Sequence, residues 1–169
     1  TLRFDNGLGV VSVTASELND LLGNGLAYTA IGRTPGRFPQ VAGMKFSYDT
    51  TMKPRITSGS GQRVRSLEIF NSDGNVTDTI VKDVDIVGNP DRRFNTVTLN
   101  FLANGADDYP FQELSKPNRL NLYAGRGYGE KADYPNADTT KDPGSNSEFS
   151  YTGGEQDTLA EYMSAFHSN

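Results

Sequence analysis

The alternation of apolar and polar positions along the chain changes period several times, and each change marks an element. The run 9–14 (GVVSVT) is β-rich. Immediately after it, Leu18, Leu21, Leu22 and Leu26 recur at helical spacing on one face. Thr14 and Glu17 stand ahead of that face with capping-box spacing, in which the hydroxyl caps an early amide and the carboxylate caps the threonine amide. The pattern predicts an amphipathic helix over 15–28, packed on a sheet, with the leucines in the core. Met44, Phe46 and Tyr48 then alternate with Lys45, Ser47 and Asp49, the period of a half-buried strand. A further strand is expected over 65–70 with Leu67 and Ile69 inward, followed by a turn at 72–75 and one or two strands over 76–87.

Phe94, Val97 and Leu99 predict a strand over 94–101 that runs into the stretch NFLANGADDYP at 100–110. A helical turn over 110–114 and a strand over 119–123 follow. The segment 124–147 is rich in Gly, Asp, Asn, Pro and Thr, as a long surface loop is. Leu159, Tyr162, Met163 and Phe166 share one face of a closing helix over 156–166. Strands and helices mix without regular βαβ alternation. The expectation is therefore an α+β fold, helices packed on a mixed sheet, forming one domain over 1–169 with a loop insertion at 124–148.

Composition narrows the chemistry. The chain has 169 residues, a net charge of −5 and a mean hydropathy of −0.56. The length supports one core, and the acidic balance lacks the basic stripe that a nucleic-acid polymer needs. With no cysteine, thiol nucleophiles, disulfides and thiolate metal sites are excluded. The single histidine, His167, lies at the very end of the sequence, so a histidine-rich hydrolytic metal site or a triad base is not expected within these residues. No signal peptide and no run of eighteen apolar residues is present. The opening Thr1-Leu2-Arg3-Phe4, without Met, suggests a piece of a longer protein.

Candidate chemistry concentrates at 100–110, where an alternating strand leads to an aromatic, Asn104-Gly105, and the acids Asp107 and Asp108. Two readings stand side by side. In one, Phe101 is core and the acids are merely solvated. In the other, the stretch is a rim for a flat, hydroxyl-bearing ligand. A catalytic carboxylate pair at Asp107 and Asp108 is disfavoured, because neighbours on an extended segment point opposite ways. Weaker signals elsewhere carry little: Gly125, Gly127 and Gly129 open no helix after a βαβ start. Asp133, Asp138 and Asp142 lack an EF-hand pattern, and Asn75-Val76-Thr77 is a common tripeptide.

Three blocks in order, FDNGLGVVSVTASELNDLL (4–22), GRFPQVAGMKFSYD (36–49) and RFNTVTLNFLANGADDYPF (93–111), together with GGEQDTLAEYM (153–163), resemble the C-terminal domain of the 5'-nucleotidase family. That family includes UDP-sugar hydrolases and 2',3'-cyclic-nucleotide phosphodiesterases. The resemblance implies a substrate-specificity domain of a secreted or periplasmic phosphohydrolase. Its partners would be a nucleoside, nucleotide or nucleotide sugar, and an N-terminal metallophosphoesterase domain of the same polypeptide holding two divalent metals. By position, Phe4 and Phe101 would stack the base and Asp107 would hold the ribose, with Asn6, Asn100, Asn104 and Gly105 shaping the pocket. No residue of this chain would be catalytic or bind metal, and alone it should be inactive.

The pattern also departs from the family's. Leu2-Arg3 stands where Leu-Pro is usual, the Asn-Gly-Gly-x-Arg element is absent, and Ala106 and Asp108 replace glycines. If the glycine at 106 needs a positive φ, Ala106 would strain the turn. The competing expectation is a non-catalytic binding or structural module that keeps the fold without nucleotide recognition.

Overall fold

A computed structural model describes residues 4, 6–30, 32–33, 35–56, 61–114, 118–122 and 154–167. The strands are β1 Leu8–Thr14, β2 Met44–Tyr48, β3 Val64–Phe70, β4 Val76–Lys82, β5 Asp85–Ile86, β6 Arg93–Leu99 and β7 Asn118–Asn121. The helices are α1 Ala15–Gly25, α2 Asn100–Ala103 and α3 Glu155–His167. Short 3-10 turns occupy Ala106–Asp108 and Pro110–Glu113. One sheet has the order β6-β1-β7 and the other β2-β3-β4-β5. The α+β class expected from the mixed pattern is what the chain forms, and its registered strand pairs are antiparallel. The loop expected at 124–147 lies outside the described residues.

Two compact units divide the described residues, one drawn from 1–12, 95–106 and 111–169, the other from 13–94 and 107–110. In the second unit, α1 lies against β3 and β4. Leu18, Leu21, Leu22 and Leu26 are buried there, as are Val64, Leu67, Ile80 and Val81. Each such side chain contributes about 1.5–3 kcal/mol through its removal from water. The capping box forms as its spacing predicts: Glu17 N donates to Thr14 Oγ1 at 3.1 Å, and Thr14 N donates to Glu17 Oε2 at 2.7 Å.

The helix ends at Gly25 rather than Tyr28. Gly23-Asn24-Gly25 is a poor helix former, and Arg63, the residue before β3, closes the end. Its guanidinium donates to the carbonyls of Leu26, Ala27 and Thr29 at 2.6, 3.1 and 2.9 Å. A cation there also complements the negative end of the helix dipole. Gly25 itself is required by close approach, since a Cβ would lie 2.5 Å from Tyr109 Oη and 2.7 Å from Pro39 Cδ.

In the first unit, β1 pairs with β7 from Gly9↔Asn121 to Ser12↔Asn118. Val11, Ala103, Phe111 and Leu114 are buried. α3 is joined to the N-terminal segment by the Gly7↔Gly154 bridge and by Glu155 N donating to Asn6 O at 2.8 Å. Its apolar face is exposed, with Phe166 71% accessible. The strand expected over 94–101 stops at Leu99, and Phe101 lies in the short helix α2 instead. The cause is local: Asn100 turns its amide and its side chain onto Gly7, which ends the run of extended residues.

Candidate functional site

The predicted site residues fall into both units, and each group has its own supports. In the first unit, Asn100 is buried and grips Gly7 twice, its N–H donating to Gly7 O at 2.8 Å and its Oδ1 accepting from Gly7 N at 3.2 Å. Asn6 Nδ2 donates to Glu155 Oε1 at 3.0 Å, and Gln156 Nε2 donates to Phe4 O at 3.2 Å. The segment bearing Phe4 and the segment bearing Phe101 are thus joined through Gly7 and Asn100. Both rings face solvent, Phe4 at 66% and Phe101 at 48% accessible. The reading that places Phe101 in the core is therefore wrong: Phe101 is the exposed side chain and Asn100 the buried one.

Asn104 and Gly105 form the turn after α2. Asn104 Oδ1 accepts from Arg119 Nη1 at 2.6 Å, while Asn104 O accepts from Gln112 Nε2 at 2.6 Å. Gly105 has a φ of +90°, the left-handed region where only glycine is at ease. The side-chain oxygen of Asn104 is thus engaged by Arg119 of β7.

In the second unit, Asp107 and Asp108 both have a φ of +55°. Ala106, whose replacement of a glycine was expected to strain the turn, has no positive φ; the strain falls one and two residues later. Aspartate tolerates this region better than most side chains, but as a single residue, and two in succession need support from their surroundings. Three consecutive residues are tethered. Asn24 Nδ2, from the last turn of α1, donates to Asp107 O at 3.3 Å. Arg37 Nη2 donates to Asp108 Oδ2 at 2.9 Å. The buried Tyr109 donates its hydroxyl to Arg37 O at 2.8 Å, and its pKa is pushed up to about 12, first by burial and then by the negative charge of Asp107, with Arg37 opposing.

The two acids are not on an extended segment, yet their surroundings separate them. Asp108 is committed to Arg37, whereas the carboxylate of Asp107 is exposed and accepts no hydrogen bond among the described residues. One carboxylate is thus paired and its neighbour left open. Among the described residues, no group of three or more His, Asp or Glu side chains gathers as a metal site requires. Sequence reasoning missed Asn24, Arg37 and Tyr109. Arg37 lies in the recognised GRFPQVAG block, but only the fold carries it to a carboxylate 71 residues away.

Comparison with known proteins gives the family. Residues 1–114 match the family model described as "5'-nucleotidase, C-terminal domain". The trifunctional nucleotide phosphoesterase protein YfkN of Bacillus subtilis is 30% identical over 115 residues, which are 68% of this chain and 7% of that protein. A 5'-nucleotidase precursor from Thermus thermophilus shares the fold with a TM-score of 0.51 and 26% identity, over 69% of this chain and 20% of that one. The NAD nucleotidase of Haemophilus influenzae, at a TM-score of 0.51, 19% identity, and 70% and 19% coverage, supports the fold alone. The chain spans a fifth or less of these relatives. It belongs to the family of 5'-nucleotidase C-terminal domains.

Proposed function

We propose that this domain binds the nucleoside part of a nucleotide substrate for a phosphohydrolase whose catalytic domain is a separate part of the same polypeptide. The observation that carries the reading is the exposure of Phe101 at 48%, where an alternating strand pattern would put a core residue. Base stacking on Phe4 and Phe101 supplies affinity with little base selectivity, at roughly 1–3 kcal/mol per stacked base. The exposed carboxylate of Asp107 accepts the ribose hydroxyls through charge-assisted bonds and so selects a sugar diol. Bond breaking would belong to the two divalent metals of the metallophosphoesterase domain. The role of this chain is to bind and orient the substrate, which lowers the entropic part of the barrier. A periplasmic or extracellular location goes with this reading; among the described residues no helix is long and apolar enough to cross a membrane.

Calorimetric titration of the chain with adenosine and AMP, beside Phe101→Ala and Asp107→Ala, tests the proposal. Weak binding is expected, reduced about tenfold or more in each variant. The chain alone should release no phosphate from AMP with any divalent metal added. A folded chain that binds neither ligand, with and without its natural upstream segment, would instead favour a non-catalytic module.

A further inference from the structure

The adjacent acids of the 107–109 turn are treated differently by the fold, and Arg37 is the reason. Its side chain is only 17% accessible, whereas that of its partner Asp108 is 78% accessible. The arginine is therefore the fixed member of the pair. Its guanidinium lies 4.5 Å from the ring centroid of Tyr28, a cation–π contact that restricts its rotamers. Its carbonyl is held by the Tyr109 hydroxyl. The 37 segment thus grips the turn at two consecutive residues, by side chain at Asp108 and by main chain at Tyr109. Asn24 adds a third hold at the Asp107 carbonyl. No tether in this set touches the Asp107 carboxylate, so all three fix the backbone beneath that group while leaving it open.

We infer that Arg37 is a positioning residue for sugar recognition: by pairing with Asp108 it holds the left-handed Asp107–Asp108 turn and sets the direction in which the Asp107 carboxylate is presented. This rests on the reading of Asp107 as the ribose acceptor. A left-handed conformation at two successive aspartates is not self-sustaining. Without the ion pair, Asp108 would be free to return to ordinary backbone angles, and its own carboxylate would compete as a second, misplaced acceptor.

Because the pair is partly exposed, its strength depends on ionic strength. Adenosine carries no charge. Salt sensitivity of its binding therefore reports on charges within the protein, which a purely structural role for Arg37 would not produce.

The experiment compares the wild-type chain with Arg37→Ala, Arg37→Lys and Asp108→Asn in two measurements. Amide hydrogen exchange at Asp108 and Tyr109 reads the order of the turn, and adenosine titration reads its consequence. Asparagine tolerates the left-handed region, so Asp108→Asn removes the charge without a backbone penalty. Faster exchange is expected in Arg37→Ala and Asp108→Asn, with adenosine affinity down about two- to fivefold and Arg37→Lys in between. Wild-type affinity should fall by a similar factor from roughly 20 mM to roughly 500 mM salt, and that dependence should vanish in Asp108→Asn. Unchanged exchange in both charge-removing variants overturns the inference, and so does faster exchange with unaltered adenosine affinity. A folded wild-type chain that gives no adenosine signal is a different result. It removes the nucleoside reading, and the exchange measurement alone then rules on whether Arg37 orders the turn.

Discussion

α1 and α3 carry nearly the same sequence signal and meet opposite fates. Both place large apolar side chains on one face at helical spacing. In α1, Leu18, Leu21 and Leu22 are 3–4% accessible and Leu26 is fully buried. In α3, Leu159, Tyr162, Met163 and Phe166 are 44–71% accessible. Periodicity therefore announces that an apolar face exists, but not that anything covers it. The difference lies in the rest of each element. α1 has a complete capping box at its start, Arg63 on the carbonyls just past its end, and a sheet against its leucines. α3 is tied to its unit at its first turn, through Glu155, Gln156 and the buried Asp157.

The largest test of this contrast is to shorten one leucine in each helix. Leu21→Ala should cost about 2–5 kcal/mol, as cavity-forming changes in a packed core do, whereas Leu159→Ala should stay within about 0.5 kcal/mol. Denaturant unfolding of both variants measures the pair, and equal losses would mean that the α3 face is covered in solution. Next in size is Arg63→Met, which keeps the aliphatic stem but strips four carbonyls, those of Leu26, Ala27, Thr29 and Met52, of a charged donor. Unfolding free energy should fall by about 2 kcal/mol, with the helical signal lost first at the end of α1.

A smaller effect follows from Tyr109, which packs over Gly25 at that same helix end. Burial pushes its hydroxyl up to about 12, above the ordinary 10.0 of a tyrosine, so the folded state favours the neutral phenol. The resulting stability is present in full below pH 10 and is lost as pH rises from 10 toward 12. Denaturant midpoints across that window should slope downward in the wild type and less so in Tyr109→Phe. The smallest expected change is Phe166→Ser at the exposed end of α3, within about 0.5 kcal/mol by the same unfolding measurement.

Much of the fold was legible in order along the chain. Alternation marked β2 and β3, the capping box fixed where α1 starts, and Asn-Gly and Ser-Asp-Gly-Asn marked turns. Those signals are local, and local geometry suffices to produce them. Where α1 ends was not legible, because Arg63, far along the chain and just before β3, closes it. The β4–β5 turn was likewise opaque: Asp83 and Val84 have φ of +50° and +73°, a conformation a β-branched residue rarely adopts, imposed by the strands on either side. Phe101 misled as a strand residue because periodicity cannot see Asn100 bending back to Gly7.

By itself the sequence determined the class of fold, the leucine core of α1, the absence of thiol chemistry, and a specific enough run of residues at 93–111 to indicate the family. Only the tertiary structure decided which of two neighbouring aspartates is left open and which is bound. Hydrophobic periodicity and turn propensity are properties of a few consecutive residues. The pairing of Arg37 with Asp108 spans 71 positions. It exists only because packing brings the two segments together, and because Tyr28 and Tyr109 hold the arginine where the turn can reach it.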